Sequence, residues 1–250
     1  MSLKENSDAA YNSAPLRLQV YLAHAGIASR RTAEKFISQG RVTVNGRLVS
    51  TMGEKVLPSD EVCFDGKQVK IQKQMLYMVL NKPPMYICSS FDPQGRALAI
   101  DLLPPLQTRL YNIGRLDYRS SGLIIFTNDG EFAAWAGHPS SCLEKEYLVD
   151  STVPIPDRIV QDFTNGIMIE NVLYKALSVE KTGKFSLKIV LVEGKNREIR
   201  KVFSHFRLHP EKLQRVRIGP ITIENLSEGQ SRPLTNDELL SFSKLKQAWE

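Results

Sequence analysis

The stretch Gly114-Arg115-Leu116-Asp117-Tyr118-Arg119-Ser120-Ser121-Gly122-Leu123-Ile124-Ile125-Phe126-Thr127-Asn128-Asp129-Gly130 divides into three parts by composition alone. Its opening is a charged loop. Residues 122–126 are an apolar run of strand length, rich in β-branched and aromatic side chains. Asn128-Asp129-Gly130 is a turn, and the pattern over 131–137 is helical. Working outward, runs of the same strand type recur at 76–80, 147–149 and 185–192, and a second helical pattern covers 196–206. Phe185, Leu187, Ile189 and Leu191 alternate with Ser186, Lys188 and Val190, which predicts a sheet with one face at least partly polar. Strands mixed with helices without a regular βαβα rhythm predict an α+β fold whose sheet is mixed and mainly antiparallel. Thr235 and Glu238 have capping-box spacing ahead of a final helix over 239–249.

The N-terminal quarter is patterned differently. Residues 1–14 lack periodicity and read as a disordered tail. Leu18, Tyr21, Leu22 and Ala25 then mark one face of a short helix closed by Gly26. Ser29 caps a second helix with Ala33, Phe36 and Ile37 as its stripe and Gly40 as its stop. Arg41 to Val44 alternates as a strand before the hairpin dipeptide Asn45-Gly46, and a further strand is expected within 56–64. The expected organisation is a tail over 1–14, a two-helix and short-strand module over 15–66, a polar linker over 67–75 and a larger domain over 76–250.

The 250 residues carry 33 basic and 27 acidic side chains, a formal charge of +6. The excess is concentrated. Residues 15–75 hold ten Lys/Arg against five Asp/Glu, and residues 193–217 hold eight against three, so the remainder is net negative. Segregation of this kind is the footprint of a nucleic-acid partner. No apolar run reaches the roughly 18 residues of a membrane span, and the N-terminus has no apolar stretch of the secretory type. Three separated cysteines make neither a disulfide framework nor a zinc motif, which fits a reducing cytoplasmic setting. His205 and His209 have metal-ligand spacing without a third ligand, so no metal is expected.

Taken singly, each chemical residue has an ordinary reading. Asp117 fits a turn aspartate bonded to its own backbone, Tyr147 a core aromatic and Arg200 a solvated helix face. Together, the segments resemble a family. Arg17 to Arg31, followed by Gly40 to Gly46, resembles the small RNA-binding module of ribosomal protein S-four. Gly114-Arg115-Leu116-Asp117 with Ser121-Gly122-Leu123, Lys145-Glu146-Tyr147, Glu193 to Arg200 and Leu80-Asn81-Lys82-Pro83 resemble the ordered motifs of the RsuA/RluB-type ribosomal RNA pseudouridine synthases. The wording Asn196-Arg197-Glu198-Ile199-Arg200 lies nearer the large-subunit branch. Two positions depart from the pattern: Met85 stands where glycine is common and Asn112 where proline is frequent.

The resemblance implies a cofactor-free isomerisation of one uridine to pseudouridine in a structured stem-loop of ribosomal RNA, 23S rather than 16S, by a monomeric enzyme. Asp117 would be the catalytic carboxylate, acting as nucleophile or as base, with Arg200 as its ion-pair partner. Tyr147 would stack on the uracil and assist loss of the C5 proton. Arg115, Ile199 and Arg197 would bind the flipped-out nucleotide, and Arg17, Arg30, Arg31 and Lys35 would bind RNA through the module. A binding-only assembly factor and a glycosidic hydrolase are the competing classes. Intact Asp117, Tyr147 and Arg200 speak against the first, and the second needs a positioned water and releases free uracil.

Overall fold

The computed structural model describes residues 14–57, 59–72, 74–106 and 108–249. The expected tail lies outside them apart from Ala14. The described chain divides into two compact units, one mainly up to Leu76 and the other mainly from Tyr77 onward.

In the first unit a short strand, β1 (Leu16–Arg17), leads into α1 (Leu18–His24) and α2 (Arg30–Ser38). The Ser29 side chain accepts the Thr32 N–H at 3.1 Å, which satisfies one of the open amides at the start of α2. Three strands form a meander: β2 (Val42–Val44), β3 (Arg47–Val49) and, across from β2, β5 (Val62–Phe64), while β4 (Lys55–Val56) pairs with β1. Asn45 and Gly46 take φ of 50° and 77°, the left-handed pair that a two-residue hairpin turn requires. Leu18, Leu22, Ala33 and Ile37 from the helices meet Val42, Val49, Val56 and Val62 from the strands in one buried core.

Two expectations change here. The strand anticipated within 56–64 is two strands, because Leu57 and Asp60 exchange hydrogen bonds in a turn between them. The segment read as linker from 67 begins inside the module: Lys67–Gln68 is β6, paired with β5, and the Tyr21 hydroxyl donates to Val69 O at 3.1 Å. Polar composition suggested a linker, but an edge strand of a small sheet is polar for the same reason.

The second unit is organised by one sheet. Its strands are β7 (Tyr77–Lys82), β8 (Tyr111–Ile113), β9 (Ser121–Thr127), β10 (Lys145–Ser151), β13 (Ser178–Lys181), β14 (Ser186–Leu191), β15 (Pro210–Ile218), β16 (Ile221–Thr222) and β17 (Ser231–Pro233). A separate hairpin joins β11 (Ile167–Ile169) to β12 (Val172–Tyr174). The strand order is β13-β14-β10-β15-β9-β7-β17, with β8 on β9 and β16 on β15. The helices are α3 (Gly130–Gly137), α4 (Asp157–Asn165), α5 (Glu198–His205) and α6 (Asn236–Trp249). Every residue of β7 and β9 is buried, as expected of central strands covered on both faces. The capping box ahead of α6 is present: Glu238 N–H donates to Thr235 Oγ1 at 3.2 Å, and Thr235 N–H to Glu238 Oε2 at 2.7 Å. The helix read over 196–206 starts at Glu198, because Arg197 takes a left-handed φ of 52° and interrupts the turn before it.

Among the described residues, the pairs within this sheet are antiparallel except β9 with β15, which run parallel through Gln214↔Ser121 and Arg215↔Gly122. That seam demands a glycine. Gly122 has φ +106°, and a Cβ there would lie 2.1 Å from Arg215 O and 2.5 Å from Arg215 N, both backbone atoms that cannot step aside. Gly122→Ala is therefore expected to lower the unfolding free energy by about 3 kcal/mol or more, measured by denaturant titration. Wild-type stability in that variant would show that the seam does not need the missing side chain.

Candidate active site

The loop between β8 and β9 carries Asp117, and it is pinned from several sides. Ser120 N–H donates to Asp117 O at 3.0 Å, closing a turn, and Met85 N–H donates to Tyr118 O at 2.6 Å. Leu116 N–H reaches the buried Cys88 thiol at 3.4 Å. The two departures from the family pattern both bear on this loop. Asn112 donates through Nδ2 to Gly114 O at 2.6 Å, a tie that proline could not make. Met85 holds φ of 69°, a conformation glycine takes freely and an L-residue adopts at a cost of about 1–2 kcal/mol.

Arg200, in the first turn of α5, faces this loop. Its Nε lies 3.5 Å from Asp117 Oδ2 and its Nη2 donates to Ser120 Oγ at 3.1 Å. The Arg200 side chain is 14% exposed and that of Asp117 39%. Burial pushes the Arg200 guanidinium down from its ordinary value, Asp117 pulls it back up, and Arg197 and Arg119 push it down again. A cation this enclosed is unfavourable without an anion. At such a separation the attraction is about 4 kcal/mol near a protein surface, lessened by the exposure of Asp117. The pair is the anion's anchor as much as the cation's relief.

Arg115, Asp117, Tyr147, Arg197, Ile199 and Arg200 all line one cleft of about 190 Å³. The six residues named from the sequence for catalysis and nucleotide binding are thus brought together. Tyr147 and Ile199 are buried, whereas Arg115 and Arg197 are exposed at the site. Arg17, Arg30, Arg31 and Lys35 lie in the first unit with exposed side chains. Arg41, counted in the same basic excess, is committed to its own unit: it pairs with Asp65 and stacks on Phe36 and Phe64 at 4.4 and 4.6 Å.

A match to the model for RNA pseudouridylate synthases covers residues 76–205, and an S4 domain matches residues 16–62. The chain belongs to the RNA pseudouridylate synthase family. It is 42% identical over 220 residues to an RNA pseudouridine synthase of Borreliella burgdorferi, covering 86% of this chain and 88% of the relative. It is 36% identical to the ribosomal large subunit pseudouridine synthase B of Bacillus subtilis, over 89% of this chain and 93% of that one. The crystal structure of a pseudouridylate synthase matches with a TM-score of 0.67 and 28% identity, covering 90% of this chain and 99% of that chain. This family member is an enzyme of α+β fold with a mainly antiparallel sheet. Among its described residues, no helix is long and apolar enough to cross a membrane.

Further ionisable residues line the synthase cleft that sequence reasoning did not assign to the site, among them Lys145, Glu198 and Arg215. Glu198 closes the turn before α5 by accepting Lys195 N–H at 3.0 Å, and burial pushes its carboxyl up. Arg215 shares the buried face of β15 with Leu213, and an inward charge on a strand was the available signal. Lys145 donates to Leu143 O at 2.8 Å and Val192 O at 3.1 Å; burial first, then Arg215, lowers its ammonium to about 8.

That shift has a sign. Between about pH 8 and the ordinary lysine value of 10.5, the unfolded chain holds the Lys145 proton more tightly than the folded one. Folding stability from this group therefore rises with pH across that window. Relative to Lys145→Met, wild-type thermal stability should improve on going from pH 7.5 to pH 10, measured by calorimetry in matched buffers. A difference that is flat or opposite in sign would contradict the burial of this ammonium.

Proposed function

We propose that this synthase isomerises one specific uridine of ribosomal RNA, in the large subunit, with Asp117 as its catalytic carboxylate. The observation that carries the reading is Asp117 beside the enclosed Arg200 guanidinium, in one cleft with Tyr147 and Ile199. The large-subunit choice rests on likeness to the Bacillus subtilis synthase and on the Asn196-Arg197-Glu198-Ile199-Arg200 wording.

The reaction breaks the N1–C1′ bond, turns the uracil and joins C5 to C1′; the C5 proton is lost and N1 gains one. It is redox-neutral and needs no group donor. Arg200 holds the Asp117 carboxylate where the ribose must lie, for either attack on the sugar or removal of its 2′ proton. A stacked base cannot reach such a cleft, so the uridine is flipped out. Tyr147 and Ile199 supply faces for the uracil, and the Tyr147 hydroxyl serves the C5 proton. Arg115 and Arg197, exposed at the mouth, meet phosphates, and the basic face of Arg17, Arg30, Arg31 and Lys35 docks on a structured stem.

Incubation with 23S and 16S RNA lacking the modification, followed by pseudouridine mapping, tests this. Wild type should create one site in 23S RNA, and Asp117→Asn should lower its rate more than about 10²-fold. A site formed equally well by Asp117→Asn would remove Asp117 from the chemistry. Modification of 16S RNA alone would overturn the subunit assignment.

A further inference from the structure

Arg215 has no part in the roles assigned above, yet it lines the same cleft and is only 3% exposed. It sits at the seam of the sheet, opposite Gly122 on β9 and opposite Tyr147 on β10. The β10 pairing skips a residue of β15 at that point, a bulge that re-aims the side chains beside it. Nε donates to Leu123 O at 2.7 Å, which ties the guanidinium to the strand that follows the Asp117 loop. Nη1 lies 3.5 Å from the Tyr147 hydroxyl oxygen, and the guanidinium carbon is 6.0 Å from the centre of its ring. Nη2 is buried and has no hydrogen-bond partner among the described residues.

The arrangement is expensive if it serves folding alone. Among the described residues Arg215 makes no ion pair with a carboxylate, and its charge adds to the displacement of the neighbouring Lys145. An enclosed guanidinium without a counter-ion is unfavourable, and an apolar side chain of similar size would fill the space without that penalty. What an apolar residue could not do is present a positive charge to the Tyr147 oxygen. At 3.5 Å that contact is long, as catalytic hydrogen bonds commonly are before substrate is bound.

We propose that Arg215 is a positioning residue that acts through Tyr147, holding the phenol oxygen in place and stabilising the negative charge it carries during loss of the C5 proton. The inference rests on the role given to Tyr147 above. Once C5 has joined C1′, C5 still bears its hydrogen and the ring holds a C6=N1 bond. The phenol oxygen, its own proton given up to solvent, takes the C5 proton. The C5–H electron pair becomes the C5=C6 bond, C6=N1 opens onto N1, and N1 takes up a proton. Arg215 neither gains nor loses a proton in this step; it opposes the charge on oxygen before transfer.

The test compares wild type, Arg215→Lys and Arg215→Met in single-turnover reactions on RNA carrying either ordinary or 5-deuterated uridine at the modified position. In Arg215→Met product formation should slow by about 10²-fold with RNA affinity unchanged. Deuterium should slow it further than it slows wild type, because the C5 step has become limiting. Arg215→Lys, which keeps the charge, should recover part of the rate, and it decides the matter if Arg215→Met fails to fold. An active wild type whose isotope effect is unmoved in the variants, or variants that lose affinity and rate together, would overturn the role of Arg215 alone. A wild type that forms no pseudouridine would overturn the reading of Tyr147 as well.

Discussion

The close approach of Gly122 to the backbone of Arg215 is the constraint on which the second unit depends. On one side of that seam lie β13, β14, β10 and β15; on the other lie β9, β7 and β17. Two residue pairs hold the halves together, and only a residue without a side chain lets the two backbones meet. The consequence is functional as well as structural. Asp117 precedes β9, Tyr147 lies on β10 and Arg200 on the helix that enters β15, so the three reach one cleft only because the seam closes.

Around that cleft the electrostatics are lopsided. Arg115, Lys145, Lys195, Arg197, Arg200 and Arg215 line it against Asp117 and Glu198. Such a site is costly in an empty protein; its exposed cations, Arg115 and Arg197, suit a polyanion, whereas the buried Arg215 is held to Leu123 O and Tyr147. Burial also lowers Lys145 to about 8, and it lowers Lys82 to about 8 where that ammonium holds Pro83 O and Tyr86 O. The segment that Lys82 ties is bonded in turn to the loop carrying Asp117, because Met85 N–H donates to Tyr118 O.

Much of this was legible in the sequence, for identifiable reasons. Strands β7 and β9 announce themselves as apolar runs, α2 by Ser29 and its stripe, α6 by Thr235 and Glu238, and the β2–β3 hairpin by Asn45-Gly46. The segregation of charge pointed to RNA, and the ordered motifs placed six residues that the fold gathers into one cleft. What was hidden depends on pairing between distant segments. Lys67 and Gln68 join a sheet although they look like linker, Arg41 is spent on Asp65 and two phenylalanines, and Arg215 was one of several basic residues until its neighbours across two strands were known. Nothing in the order of residues says that Gly122 and Tyr147 flank the same arginine; that is a fact of register.

Where the substrate uridine goes decides whether Asp117 and Tyr147 act as proposed. A crystal structure of the protein with target RNA carrying 5-fluorouridine at the modified position, whose fluorine blocks loss of a proton from C5, would show it. The uracil is expected out of its stack, between Tyr147 and Ile199, with the sugar against Asp117 and Arg200 still paired to that carboxylate. A base that remains stacked in the RNA, or a sugar held away from Asp117, would contradict it.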